Sequence, residues 1–183
     1  MVANLPKQYA WLAAVAELPK TIQQGVALLG TVETPGTGNN PVIMAWVREL
    51  GISWLPEVYT SDAVPWCGLA AGIVAKRAGK AIFPNLLQAL AWAAWGVGVA
   101  KAAASLGDCL IFVRKGGGHV GWYVGEDSTH YHVLGGNQSD CYSIARLPKS
   151  MLYAVRRPVY SKQPASVRPY KLAGTGTVAK SLA

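Results

Sequence analysis

Cysteine, histidine and asparagine occur at Cys67, His119 and Asn137, in a chain order that a thiol hydrolase of the Cys-His-Asn kind can use. Cys67 lies in WCGLAAGIVAKRAGK (66–80), directly after Pro65, so the spacing predicts a helix whose first turn holds the cysteine. A helix start carries partial positive charge and unpaired N–H groups. Both favour a thiolate, and the same N–H groups can hold the oxyanion of an acyl-transfer intermediate. His119 follows Gly116, Gly117 and Gly118 and opens a predicted strand. A base at a strand edge beside a glycine turn leaves room for a substrate backbone. Asn137 lies in GGNQ (135–138), just past the next strand, where its amide can accept the second ring N–H of the histidine and fix its tautomer. Each residue also has a plain structural reading: a buried inert thiol, a histidine at a surface turn, and an asparagine bonded to its own backbone.

The other reactive side chains form weaker patterns. Cys109 and Cys141 sit in predicted strands, where a thiol is core filler. Three cysteines without CxxC spacing argue against a zinc site or a disulfide framework. His130 and His132 flank Tyr131 and read as a polar sheet surface. A metal site made of His119, His130 and His132 would lack nearby carboxylates, so neither a metal nor another cofactor is expected. Trp66, Trp92, Trp95 and Trp122 are either core or groove walls; Trp66 adjoins the cysteine and Trp122 lies on the histidine strand, which makes these two the substrate-contact candidates. Asp62 is placed to shape the loop before the helix, and Glu33 either touches substrate or fixes its own loop.

The elements that must position these residues follow from periodicity. Apolar spacing predicts helices within 8–18, over 22–29 behind a Thr21 cap, after Pro41 up to Gly51, over 66–79, and over 86–95 behind Asn85. From residue 107 the period changes. Strands are predicted at 109–114, 119–125, 130–134, 141–146 and 152–156. Helices first and hairpin-linked strands after give an α+β layout with an antiparallel sheet. Residues 1–157 read as one domain with a helical part at 1–50, and 158–183 as a basic tail or extended wrap.

The chain has 183 residues, and only 14% of them are charged, which suits a single folded domain rather than disorder. Its formal net charge of +8 draws it to polyanions. No Lys/Arg run carries interleaved aromatics, so nucleic acid is not an expected partner. No uninterrupted apolar run reaches the roughly 18 residues of a membrane span. The stretch AWLAAVAEL (10–18) is short and contains Glu17, so no secretory signal is expected.

Four segments carry a family resemblance. DAVPWCGLAAGIVAKRAG (62–79), GDCLIFVRKGGGHVGWYVGED (107–127), VLGGNQSDCYSIARLP (133–148) and ETPGTGNNPVI (33–43) together resemble the papain-like cell-wall peptidases of the NlpC and CHAP groups, in particular a phage lysin-like subgroup. The matching segments span about 33–157. The resemblance implies a papain-like fold, with N-terminal helices packed on a small antiparallel sheet of about five strands. It implies cleavage of an amide bond in peptidoglycan, with Cys67 as nucleophile, His119 as base and Asn137 as the orienting residue. The bond is either within the stem peptide or the N-acetylmuramoyl-L-alanine amide. Gly68 departs from the pattern, because a serine is usual there; the smaller residue is expected to leave space near the nucleophile. The resemblance further implies a phage or prophage endolysin, made in the host cytoplasm without a signal peptide. Such a protein reaches the periplasm or wall through a holin or as part of a virion, and its basic tail is attracted to anionic envelope polymers. Two other readings stay open: an inactive wall-binding or structural phage protein of the same fold, and a papain-fold transferase or deamidase acting on protein.

Overall fold

The switch of periodicity near residue 107 divides the protein into helices before it and a sheet after it. The computed structural model describes residues 5–182. Four α-helices precede the main sheet: α1 (Lys20–Val26), α2 (Pro41–Leu50), α3 (Leu55–Val58) and α4 (Cys67–Arg77). The segments expected as helices within 8–18 and 86–95 form 3-10 turns instead, at Lys7–Ala14 and Ala89–Ala94. The expected Thr21 cap is not made: Pro19 precedes α1, and the Thr21 hydroxyl donates to the Gly107 carbonyl. Asn40 caps α2 by accepting the Val42 N–H, Pro41 supplies a pre-set first residue, and Gly51 closes the helix in the left-handed region. Helix α4 is buried at every position from Cys67 to Ala75. It is therefore the central element on which the rest packs. Its basic last turn leans on α2, where the Lys76 ammonium donates to the Glu49 and Leu50 carbonyls and Arg77 pairs with Glu49.

Six strands form one antiparallel sheet: β1 (Val97–Val99), β2 (Cys109–Arg114), β3 (Gly117–Glu126), β4 (His130–Gly135), β5 (Ser143–Pro148) and β6 (Leu152–Arg157), in the order β1-β6-β2-β3-β4-β5. The expected α+β class and the five later strands are present. The sixth, β1, is a V-G-V segment whose glycine hides a strand pattern. Ile111, Val120, Trp122, Val124 and Leu134 face the helices and join their core with Trp46, Trp66 and Trp92. Leu110, Phe112, Tyr123, Tyr131 and Val133 form a second apolar layer on the opposite face. Asp108, fully buried, fixes the start of β2 by accepting the Ser105 N–H and a two-pronged bond from Arg157 on β6.

Residues 158–182 are a wrap. Tyr170 stacks on Trp11 at 4.8 Å, and its carbonyl accepts the Glu126 N–H. The Leu172 N–H returns a bond to the Glu126 carbonyl, and Val178 bridges to Arg146. Under this wrap lies a correction to the sequence reading. His132 is buried rather than part of a polar sheet surface, with Nδ1 2.7 Å from the Tyr9 hydroxyl and Nε2 3.2 Å from Asp127. Asp127 also pairs with Arg146 at 2.8 Å, so the site is an internal polar tie between the N-terminal turn and the sheet. No helix among the described residues is long and apolar enough to cross a membrane.

Candidate functional site

Cys67 is the first residue of α4, preceded by Trp66 without a side-chain cap. Pro65 and the apolar run after it make the helix start here, so the thiol stands beside the unpaired N–H groups of the first turn. Beside it runs β3. Residues 117–121 of β3 pair with β2 on one side only, because the β3–β4 ladder ends at Trp122–Leu134. Residues 119–121 are nonetheless buried, with the Gly135 backbone packed against Gly121, and the Val120 N–H favours the Cys67 thiolate from there.

Burial pushes the Cys67 thiol up, while the N–H groups of Val120, Gly68 and Cys67 itself and the Arg114 guanidinium pull it down, without cancelling the rise. The helix start thus acts in the expected direction, and the low dielectric outweighs it. His119 is fully buried opposite Phe112, whose ring lies 6.4 Å away. Burial pushes its imidazolium down to about 4; the Gln138 amide acts against that shift and Arg114 reinforces it. At neutral pH Cys67 therefore rests as a thiol and His119 as a neutral imidazole, and no hydrogen bond joins the two among the described residues. Among the described residues Arg114 alone raises the positive potential at both groups, and its Nε is buried without a partner.

The amide that favours the protonated form of His119 is that of Gln138, with no hydrogen bond between them among the described residues. Its nitrogen donates to the carbonyls of Val133, Gly135 and Ser143 at 3.2, 3.2 and 2.7 Å, which pins the β4–β5 turn and fixes the amide's orientation. Its oxygen is buried with no hydrogen-bond partner among the described residues, as are both ring nitrogens of His119. A methyl group on Gly135 would stand 3.6 Å from Nε2 of the ring, so this nitrogen faces the turn. Asn137, expected in that role, makes no hydrogen bond to His119 among the described residues. Its φ of +56° turns the chain sharply and leaves its Oδ1 buried and unpartnered.

Trp66 and Trp122, expected to contact substrate, are both fully buried in the core. Trp66 packs on Trp46 at 6.1 Å, and Trp122 stands edge-on to Trp92 and Trp95. They hold the site rather than line a groove. The Trp66 indole donates to Glu33 at 3.1 Å, so Glu33 fixes its loop against the helix start. Asp62 anchors the same loop by accepting the N–H groups of Thr34 and Asn40 at 2.9 and 2.7 Å. Gly68 does not open space as expected. A Cβ there would lie 2.2 Å from the Leu86 carbonyl oxygen, so the 86–87 backbone crosses directly over the start of α4. Cys109 is buried, Cys141 is half-buried, and no group of three or more potential metal ligands occurs among the described residues.

No family model matches the chain, and neither the curated proteins nor the solved structures give a match.

Proposed function

We propose that the protein is a cysteine hydrolase that cuts an amide bond of peptidoglycan, with Cys67 as nucleophile, His119 as general base and Gln138 as the residue that orients His119. The observation that carries this reading is the thiol at the first residue of α4, a buried helix packed against β3, the strand that holds His119. The four sequence segments that resemble the NlpC and CHAP peptidases contribute the choice of peptidoglycan, and with it a papain-like fold and a phage or prophage endolysin.

In the proposed reaction the sulfur attacks the carbonyl carbon of the scissile amide while His119 takes the thiol proton. The N–H groups at the start of α4 are suited to the oxyanion. Collapse of the tetrahedral intermediate breaks the C–N bond, and His119 delivers the proton to the leaving amine. Water, deprotonated by His119, then attacks the thioester; the acid leaves and the thiol regains its proton. Because the imidazole starts neutral, proton and sulfur move together rather than from a preformed ion pair.

The burial of both groups favours a second reading, a wall-binding or structural protein of the same fold that does no chemistry. Incubation of purified peptidoglycan of several chemotypes with the protein, followed by mass spectrometry of the soluble products, separates the two. Fragments with new amine ends support the hydrolase and name the bond as stem-peptide or muramoyl-alanine. Intact walls with all chemotypes favour the second reading.

A further inference from the structure

Far from Cys67, the wrap closes a cavity of about 460 Å³ against α1 and the end of α4. Its walls include Lys20, Lys80 and Lys162, together with Gln23, Gln163 and Tyr160. The one carboxylate there, Glu17, accepts the Ala165 N–H at 3.2 Å and so is held by the wrap. None of the three lysines forms an ion pair among the described residues. Lys80 is fixed in place: it donates to the Val159 carbonyl at 2.6 Å and lies 4.4 Å from the centre of the Tyr160 ring. Burial and the neighbouring charge of Lys20 both work against its protonated form. The Tyr160 hydroxyl is shut off from solvent near Asp108 and Arg157, so this residue lines the cavity with its ring rather than its hydroxyl. The carbonyls of α4 that end at this cavity are already taken, by the N–H groups of Ala78, Gly79 and Lys80. Like charges gathered in a cavity, beside the amides of Gln23 and Gln163, have the donors and the sign for a compact oxyanion.

We propose that this cavity is a phosphate-binding site, formed by Lys20, Lys80 and Lys162 and separate from the chemistry at Cys67. Two amines from fixed elements and one from the wrap surround the anion, so binding it also ties the wrap to α1 and α4. The phosphate is either free in solution or carried as the phosphodiester of an anionic polymer.

Thermal unfolding of the full chain in sodium phosphate, against sodium chloride of equal ionic strength, tests the site without reference to activity. Phosphate raises the midpoint of the wild type by several degrees above the chloride control, as a ligand of the folded state does. Calorimetric titration gives at least tenfold weaker phosphate binding for Lys80→Met. Lys162→Met, exposed on the wrap, supplies a substitution that leaves the core untouched. Competition by poly(glycerol phosphate) in the titration assigns the site to polymer-borne phosphodiester, and its failure to compete assigns it to free phosphate. A wild type that gains nothing over chloride, or variants that bind phosphate as the wild type does, would overturn the site.

Discussion

At the scale of single residues, the site is governed by burial. Cys67 and His119 are both removed from water, so the low dielectric favours neutral forms of each. His119 titrates near 4 in the folded protein against an ordinary 6.5, so the unfolded chain takes up a proton first as pH falls. Its contribution to stability is full above about pH 6.5 and is lost between there and pH 4, to the extent of about 3 kcal/mol. Denaturant titrations at pH 7 and pH 4 should show that much less pH dependence in His119→Gln than in the wild type. Gln138→Ala should lower kcat on peptidoglycan about a hundredfold and shift the acidic limb of the pH–rate profile, while Asn137→Gly keeps both near wild type. A reversed outcome would return the orienting role to Asn137. The helix start at Cys67 and the strand that carries His119 were legible in the sequence because Pro65 and the Gly116–Gly118 run punctuate the chain beside them. Where the neighbouring amides of Asn137 and Gln138 point was not legible, since that depends on the left-handed backbone of Asn137. The tryptophans were misjudged for a related reason: an indole suits a core as well as a groove, and only packing decides.

At the scale of elements, period and punctuation were enough for α2, α4 and the five later strands. They failed where local chemistry gave mixed signals. The Ala/Trp segment 89–94 has helical apolar spacing but closes into a 3-10 turn, after which Gly96 adopts a left-handed φ of +54°. Gly68 was read as spare room, because nothing in a sequence shows that a distant backbone will cross there. The Leu86 carbonyl fills that room, and it also accepts the Trp92 indole N–H at 2.8 Å. A side chain at 68 therefore has to displace backbone rather than rotate aside. Gly68→Ala is expected to cost about 1–3 kcal/mol and Gly68→Ser at least as much, read as a fall in the thermal midpoint. Unchanged stability in both variants would mean that the 86–87 segment gives way easily.

At the scale of the whole molecule, the wrap is part of the fold. Lys171 pairs with Glu126, Leu172 lies over Gly125, and Val167 is buried, so the segment spends part of its charge and apolar surface inside the protein. The sequence showed its basic character but not its docking, because Pro- and Gly-containing extended chain has no periodic pattern to read. Removing 159–183 should therefore lower the thermal midpoint and expose apolar surface to a hydrophobic dye. A truncated chain as stable as the full one would make the wrap a mere appendage. The activity proposed for the assembled molecule comes down to one sulfur among three. Release of soluble fragments from purified peptidoglycan by the wild type, Cys67→Ala, Cys109→Ala and Cys141→Ala tests it most directly. The expected result is no release by Cys67→Ala and substantial release by the other two variants; release by Cys67→Ala at the wild-type rate would contradict the assignment of the nucleophile.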